Sequence, residues 1–565
     1  MSRVSAHFST RIYVVVFFVL LVSAAIIVRL FFLQVVNYSW YKAMAQRQQG
    51  YNVELAPKRG DISLRYKDGS LFTAATTQQG YLLYLDMRSL ENPEEVFVKL
   101  NKITPVDRDL FFAISKKKDD PYEVLKQQIS EEEGNKIRAL ELKGVELVEK
   151  GWRYYPGGTM ASHVLGFVST LSGEPEGKYG IEKYYETTLK GSLGTERGEK
   201  DAKGILIALS DQFTNPAREG GNVVLTIEPE LQRFAEAQLK EVFEKWHATS
   251  GAIMVLEPKT GKIRALAAVP VFDPNEYNKE KNLSVFLNPM VEKIYELGSV
   301  FKPLTVAAAL DKGVITPETK YMDYGFLKIG PSTIRNFDGK GRGEVDMQRV
   351  LSESLNTGAV FAMRQLGGEN LYEYFRKYGL EEPLGLDLPG EIYGDLSNLD
   401  SGREIEYATA SFGQGVAVTP LELAMALSSL GNGGKLMRPV ITEDYTPQVI
   451  RQVLKKETSH TITQMLVNVV DTSLAGGAAK IPGYSIAAKT GTAQIPKTDG
   501  KGYSGEYLHS FFGYLPAYDP QFLIYLMLEK PQEVNYASHT LTDPFKKIVE
   551  FLINYYTIPP DRQPL

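Results

Sequence analysis

From Ile12 to Val28 no charged residue occurs, and the only hydroxyls in the run are those of Tyr13 and Ser23. Such a stretch is close to the shortest that crosses a bilayer as a helix, ~17 residues. Arg29 interrupts it and Leu30 to Val36 continues apolar. An arginine near the end of a span can snorkel to the head groups, so a tilted helix over residues 12–36 is predicted. No small-x-small cleavage site directly follows the run, which favours an uncleaved anchor over a removed signal peptide. Arg3 and Arg11 precede the span while Arg29, Lys42 and Arg47 follow it, so positive charge leaves the orientation open.

A chain of 565 residues is too long for one compact core and predicts two or three domains. With 43% hydrophobic and 23% charged residues, most of it should pack into cores. A net charge of -5 offers no extended basic surface, which argues against nucleic acid as the main ligand. The absence of cysteine excludes disulfides, thiolate catalysis and cysteine-ligated zinc, and leaves the compartment undecided. The histidines include no His-Glu-x-x-His pair, so a zincin-type metal site has no support, and the expected cofactor and metal complement is none.

Beyond the anchor, residues 37–220 are rich in charge and turn residues. The runs Ser115 to Asp120 and Glu131 to Glu133 look like solvated faces, and this half looks like scaffold. A new domain, residues 221–565, is predicted to open with a strand over Val223 to Ile227. A helix follows over Glu230 to Trp246, with Leu231, Phe234, Leu239 and Phe243 inward. Ala252 to Leu256 and Ile263 to Val269 flank the turn cluster Pro258 to Lys262 and read as an antiparallel hairpin. Ile486 to Ala488, Phe511 to Leu515 and Phe522 to Leu528 read as further strands, and Asp543 to Tyr555 as a closing helix. Strands at both ends with helices between them predict an α+β domain in which distant segments pair.

Within that domain, Ser299-Val300-Phe301-Lys302, Ser354-Leu355-Asn356 and Lys489-Thr490-Gly491-Thr492 occur in this order. Together they resemble the three motifs of penicillin-binding proteins and serine β-lactamases. Singly they are weak: Ser-x-x-Lys recurs at Ser39 to Lys42 and Ser115 to Lys118, and Lys-Thr-Gly at Lys259 to Gly261. The extra copies lie beside the membrane, in a charged run and in a hairpin turn. Ser299 is predicted to open a helix through Leu310 that stops at Gly313, with Lys302 on the same face one turn later. A serine hydroxyl needs a base, and lysine serves only if burial or nearby positive charge keeps it neutral; Lys489 is a candidate for that charge. Ser354 and Asn356 should sit in a loop or short helix, the hydroxyl for proton relay and the amide for substrate. After the short apolar strand, Thr492 N–H is expected to join Ser299 N–H in an oxyanion hole. Thr490 and Lys489 would attract a terminal carboxylate, and Gly491 would let substrate backbone approach.

The resemblance reaches further. Arg59-Gly60-Asp61-Ile62, Arg153 to Pro156, Ser162 to Gly166 and Gly180 to Lys183 resemble the N-terminal pedestal of class B penicillin-binding proteins. Gly413 to Gly415 with Thr419-Pro420, Asn432 to Gly434 and Ser510 to Tyr514 resemble segments of their transpeptidase domain. The family has proline where this chain has Leu297, and aspartate where it has Leu64. The resemblance implies a cytoplasmic tail (1–11), a transmembrane anchor (12–36), a mixed α/β, elongated dimerisation-type pedestal (37–220) and a transpeptidase domain (221–565) with a five-stranded antiparallel sheet covered by helices. It implies a cytoplasmic-membrane serine D,D-transpeptidase, acylated on Ser299, that cross-links peptidoglycan stem peptides outside the membrane and is inhibited by β-lactams. Because residues 37–220 leave no room for a glycosyltransferase domain, it further implies a SEDS-family membrane glycosyltransferase and divisome proteins as partners. The single short pedestal favours the septal over the elongation type.

Two rival functions differ in testable ways. A β-lactam hydrolase or sensor shares the acylating serine, but the Glu-x-x-x-Asn of class A β-lactamases is missing between Asn356 and Lys489. A non-catalytic division scaffold would tolerate loss of motif side chains, and all are intact.

Overall fold

The computed structural model describes residues 4–55, 57–117, 122–171, 173–199, 213–497 and 502–563. Arg3 and the 118–120 end of the predicted charged run lie outside them. The chain forms two compact units, Met1–Lys58 with Lys190–Gly220, and Arg59–Leu189 with Gly221–Leu565.

In the first unit, helix α1 (Val4–Phe31) runs into a wider turn, Phe32–Val36. Arg11–Val36 is long and apolar enough to cross a membrane, and none of it is buried in protein. A three-stranded antiparallel sheet in the same unit joins Gly50–Leu55, Gly194–Glu199 and Phe213–Asn215.

The second unit begins with a five-stranded sheet: β1 (Ile62–Arg65), β2 (Leu71–Asp86), β3 (Tyr122–Ser130), β4 (Val145–Tyr154) and β5 (Val223–Leu225). The 16-residue β2 pairs antiparallel with β1, β3 and β4. Strand β5, expected to open the second domain, instead pairs in parallel with β1, Val223 opposite Ile62. The sheet therefore crosses the boundary expected between residues 220 and 221, because the free edge of β1 needs a hydrogen-bonding partner and β5 supplies it. Glu131 to Glu133 form the first turn of a helix, with Ser130 and Glu133 in a capping box.

Helix α2 (Pro229–Lys245) follows, capped by Glu228 and with Pro229 in its first turn. Leu231 and Leu239 are buried, and the Phe234 ring stacks on Phe551 at 4.5 Å. Strands β6 (Ser250–Leu256) and β7 (Ile263–Val269) form the expected hairpin. The core helices are α3 (Lys302–Asp311), α4 (Met347–Ser352), α5 (Asn356–Leu366), α6 (Pro420–Gly431) and α7 (Lys456–Thr472). Thr419 and Glu422 form a capping box at the start of α6, which accounts for the Thr419-Pro420 pair. Strands β8 (Ala487–Pro496), β9 (Tyr503–Leu515) and β10 (Phe522–Glu529) complete a sheet of order β7-β6-β10-β9-β8, all neighbours antiparallel. Helix α8 (Thr542–Tyr556) lies over it, and a Cβ on Gly513 would come within 2.5 Å of the Phe545 ring. Strand β8 is an edge of this sheet and carries the third motif.

Candidate active site

The first motif starts as a 3-10 turn, Gly298–Phe301, and only then becomes helix α3. The expected helix beginning at Ser299 is corrected by Pro303, which has no N–H to give the Ser299 carbonyl. Lys302 N–H donates to that carbonyl instead, one residue sooner. In the tighter turn positions three apart eclipse, so Ser299 and Lys302 leave the same face. Helix α3 is buried on nearly every side, so Lys302 lies inside the core with no exposed surface.

The second motif runs from the connection after α4 into the first residue of α5, Asn356. Ser354 has φ +54°, a left-handed conformation that is costly for serine and is held by its neighbours. Lys302 Nζ donates to the Ser354 carbonyl (2.6 Å) and to Ser354 Oγ (3.1 Å). Asn356 Nδ2 donates to the Arg335 carbonyl at 2.8 Å, so the amide is fastened to the hairpin formed by Phe326–Ile329 and Ser332–Arg335.

The third motif lies within β8 itself, not after a shorter strand as expected. The ladder continues through it, Lys489 opposite Phe512, Gly491 opposite Ser510 and Thr492 opposite His509. Lys489 Nζ donates to Ser354 Oγ and to the Thr490 carbonyl, both at 3.0 Å. Gly491 has an internal reason for being glycine. A Cβ there would stand 2.3 Å from Ser510 Oγ and 2.8 Å from the Leu297 carbonyl, so its missing side chain admits the close approach of the segment leading into the Gly298–Phe301 turn. Gly298 and Gly413 meet just as closely: φ is positive at both, Gly298 N–H donates to the Gly413 carbonyl, and a Cβ on Gly413 would reach 2.3 Å from the Gly298 carbonyl.

Two buried lysines therefore share one hydroxyl. Burial, with the Lys489 charge added to it, holds Lys302 well below the ordinary lysine value. Burial brings Lys489 down to about 7. Ser299, Ser354, Asn356, Lys489, Thr490 and Thr492 all line one cavity of about 1060 Å³. Among the described residues no hydrogen bond is formed by the Ser299 side chain. Two of the additional copies do not line the cavity: Lys259 pairs with Asp519 in the hairpin turn, and Ser115 caps a helix end. Among the described residues no cluster suited to a metal ion is found.

The family model described as the penicillin binding protein transpeptidase domain matches residues 251–550, more than half of the chain, and the penicillin-binding protein dimerisation domain matches residues 54–225. The chain belongs to the class B penicillin-binding proteins. Stage V sporulation protein D of Bacillus subtilis is 30% identical over 549 residues, 94% of this chain and 84% of that protein. The peptidoglycan D,D-transpeptidase FtsI of Buchnera aphidicola is 28% identical over 548 residues, 94% and 93% of the two chains. The crystal structure of penicillin binding protein 2X from Streptococcus thermophilus has the same fold, with a TM-score of 0.73 at 22% identity, covering 89% of this chain and 80% of that one.

In this penicillin-binding protein three of the four pedestal motifs meet at one buried carboxylate. Glu182 accepts from Arg59 Nε at 2.7 Å, from Arg153 Nε at 2.6 Å and from the Tyr155 hydroxyl at 3.2 Å, and it has no exposed surface. The cavity also has walls that motif reading missed: Arg335 and Phe337 from a hairpin, Tyr503 and Tyr507 from β9, and Asn535 and Tyr536 from the segment after β10. Only Gln414, inside the quoted Gly413 to Gly415, carried a sequence signal. The others come from segments far apart in the chain with no shared spacing.

Proposed function

We propose that this penicillin-binding protein is a serine D,D-transpeptidase of peptidoglycan that is acylated on Ser299 by a D-Ala-D-Ala donor and resolved by a stem-peptide amine. The observation that carries the reading is the convergence of Lys302 and Lys489 on Ser354 Oγ, one turn from Ser299. A neutral Lys302 amine has two N–H groups, both engaged by Ser354, and a lone pair left for the Ser299 proton. Ser299 Oγ attacks the penultimate D-Ala carbonyl as its proton passes to Lys302, and the N–H groups of Ser299 and Thr492 hold the oxyanion. The C–N bond then breaks and terminal D-Ala leaves as an amine, taking its proton by way of the Ser354 hydroxyl. In the second half the acceptor amine attacks the ester and gives a proton to Lys302. The Ser299 C–O bond breaks, and the proton returns to Ser299. Lys489, Thr490 and Thr492 bind the donor carboxylate, and Asn356 orients the donor peptide. No cofactor enters the scheme. β-Lactams, as carboxylate-bearing acylating agents, are inhibitors.

The apolar helix is the single-pass anchor, with the tail in the cytoplasm and the body from residue 37 outside the cytoplasmic membrane. The absence of a glycan-polymerising domain in the matched regions points to a SEDS-family glycosyltransferase and divisome proteins as partners, and the short pedestal to septal work. A fluorescent fusion gathering at midcell supports the septal assignment, and one spread along the sidewall removes it. The chemistry is tested with the detergent-solubilised full chain and a fluorescent penicillin. Wild type is labelled on Ser299 and Ser299→Ala is not; an adduct mapped to Ser39 or Ser115 overturns the reading. The penicilloyl adduct should outlast an ordinary enzyme turnover, on the order of a tenth of a second. Rapid release of penicilloate with no amide formed from a thioester donor and stem-peptide amine would place the protein among the hydrolases.

A further inference from the structure

Strand β10 ends at Glu529, and the chain then turns back through two left-handed residues, Lys530 and Glu533, to reach the catalytic edge. There it forms a single helical turn, Ala537–Thr540, with Ala537 fully buried. Ala537 N–H donates to Thr492 Oγ1 at 3.1 Å. The turn is fastened from below: the Thr540 hydroxyl lies 2.9 Å from His509 Nδ1 and 3.2 Å from the Ala537 carbonyl. His509 is itself fully buried, directly across the ladder from Thr492. Asn535, Tyr536 and Ser538 of the same segment line the cavity. An unbroken chain of contacts thus runs from His509 through Thr540 and Ala537 to the hydroxyl of Thr492.

We propose that residues 535–540 are a positioning strap that orients the Thr492 hydroxyl as a donor to the substrate carboxylate, with His509 and Thr540 as its anchor. The inference rests on the transpeptidase reading above and assigns roles that the three motifs do not contain. A hydroxyl that accepts from a backbone N–H has one lone pair committed and its rotation restricted, so its own proton is left to be donated. The remaining partner on that side is whatever occupies the cavity, and a carboxylate, which only accepts, is complementary to a fixed donor. His509 is suited to the anchor because burial drives its pKa down to about 4, keeping the ring neutral at working pH. Ala537, Thr540 and His509 touch no substrate; they act through Thr492.

The test removes the strap's hydrogen bond with little change of shape. Ala537 opens a helical turn and Tyr536 before it is extended (φ −124°, ψ 132°), so Ala537→Pro suits the backbone while deleting the N–H. His509→Ala, which loosens the anchor from the opposite side, is the second variant. Acylation of the full chain is followed with a thioester donor bearing a free carboxylate and with the methyl ester of the same donor. Each variant is expected to lose about tenfold with the carboxylate donor, the value of one hydrogen bond to a charged group, and to keep its rate with the ester. Combined with Thr492→Val, the strap variants should lose nothing further. Equal loss with both donors, or losses that multiply with Thr492→Val, overturns the strap and leaves a merely structural segment. Penicillin labelling of Ser299 in the same samples separates the two levels: its absence from wild type sinks the transpeptidase reading, and the inference with it.

Discussion

Lys302 and Lys489 each come within 3.1 Å of Ser354 Oγ, and two ammonium groups that close in a buried site repel strongly. The proposed mechanism takes Lys302 as the neutral one: burial and the Lys489 charge both lower it, whereas burial alone lowers Lys489. Lys302→Arg is therefore expected to fold and yet to lose acylation by about a hundredfold or more, the scale of general-base catalysis, because guanidinium keeps its proton. Near-normal penicillin labelling of that variant would show that charge and not basicity is needed. The same pair sets the pH profile. Acidification protonates Lys302 and removes the base, so the acylation rate falls on the acid side. Above about 7 Lys489 loses its charge and its hold on the donor carboxylate, so the rate falls again. With Lys489→Arg the alkaline limb should move up while the acid limb stays. Rates with a carboxylate donor across pH report both, and an unmoved alkaline limb assigns it to another group.

At the scale of elements, the site is a seam between an edge strand and a helix start. Gly491 of β8, Ser510 of β9 and Leu297 before the nucleophile turn touch there, and the Ser510 hydroxyl donates to the Leu297 carbonyl at 2.9 Å. Gly491→Ala forces a methyl group into that seam and is expected to cost about 1–3 kcal/mol, as overpacking does, and to slow acylation by shifting Ser299. Ser510→Ala removes the nearest of the clashing atoms. The double variant should therefore lose less stability than the two single losses added, as chemical denaturation can measure. Strict additivity would mean that the strand moves away as a body and that the contact at 491 is dispensable.

Across the whole molecule, three of the pedestal motifs, at Arg59, Arg153 to Tyr155 and Glu182, supply the parts of one ion cluster. Arg59 also pairs with Glu186 at 2.6 Å, and Arg153 donates to the Gly60 carbonyl at 2.7 Å, so the cluster joins segments more than 90 positions apart in the chain. Glu182→Gln leaves the buried Arg153 guanidinium without its carboxylate and Arg59 with Glu186 alone, and a loss of about 3–5 kcal/mol in unfolding free energy is expected. Penicillin labelling at temperatures where the variant remains folded should be unchanged, since no atom of the cluster lines the cavity. A chain lacking residues 1–36 should pass from the membrane to the soluble fraction. Retention at the membrane would assign the attachment to another surface.

Local order was enough for much of this. An uncharged run long enough to span lipid, Ser299 and Lys302 three residues apart, the Pro258 to Lys262 turn and the three motifs in order are all features of neighbouring residues, and such features survive without the fold. What depends on residues far apart was decided by the tertiary structure. The lowered basicity of Lys302 exists only because α3 is buried and Lys489 arrives from 187 positions away, as the sequence numbers show. The partner of β5 is β1, the reason for Gly491 is Ser510, and the hold on Thr492 comes from Ala537. Spacing records which side chains share a face, but desolvation, close approach and hydrogen-bond direction are properties of neighbours in space. Only the folded chain supplies them.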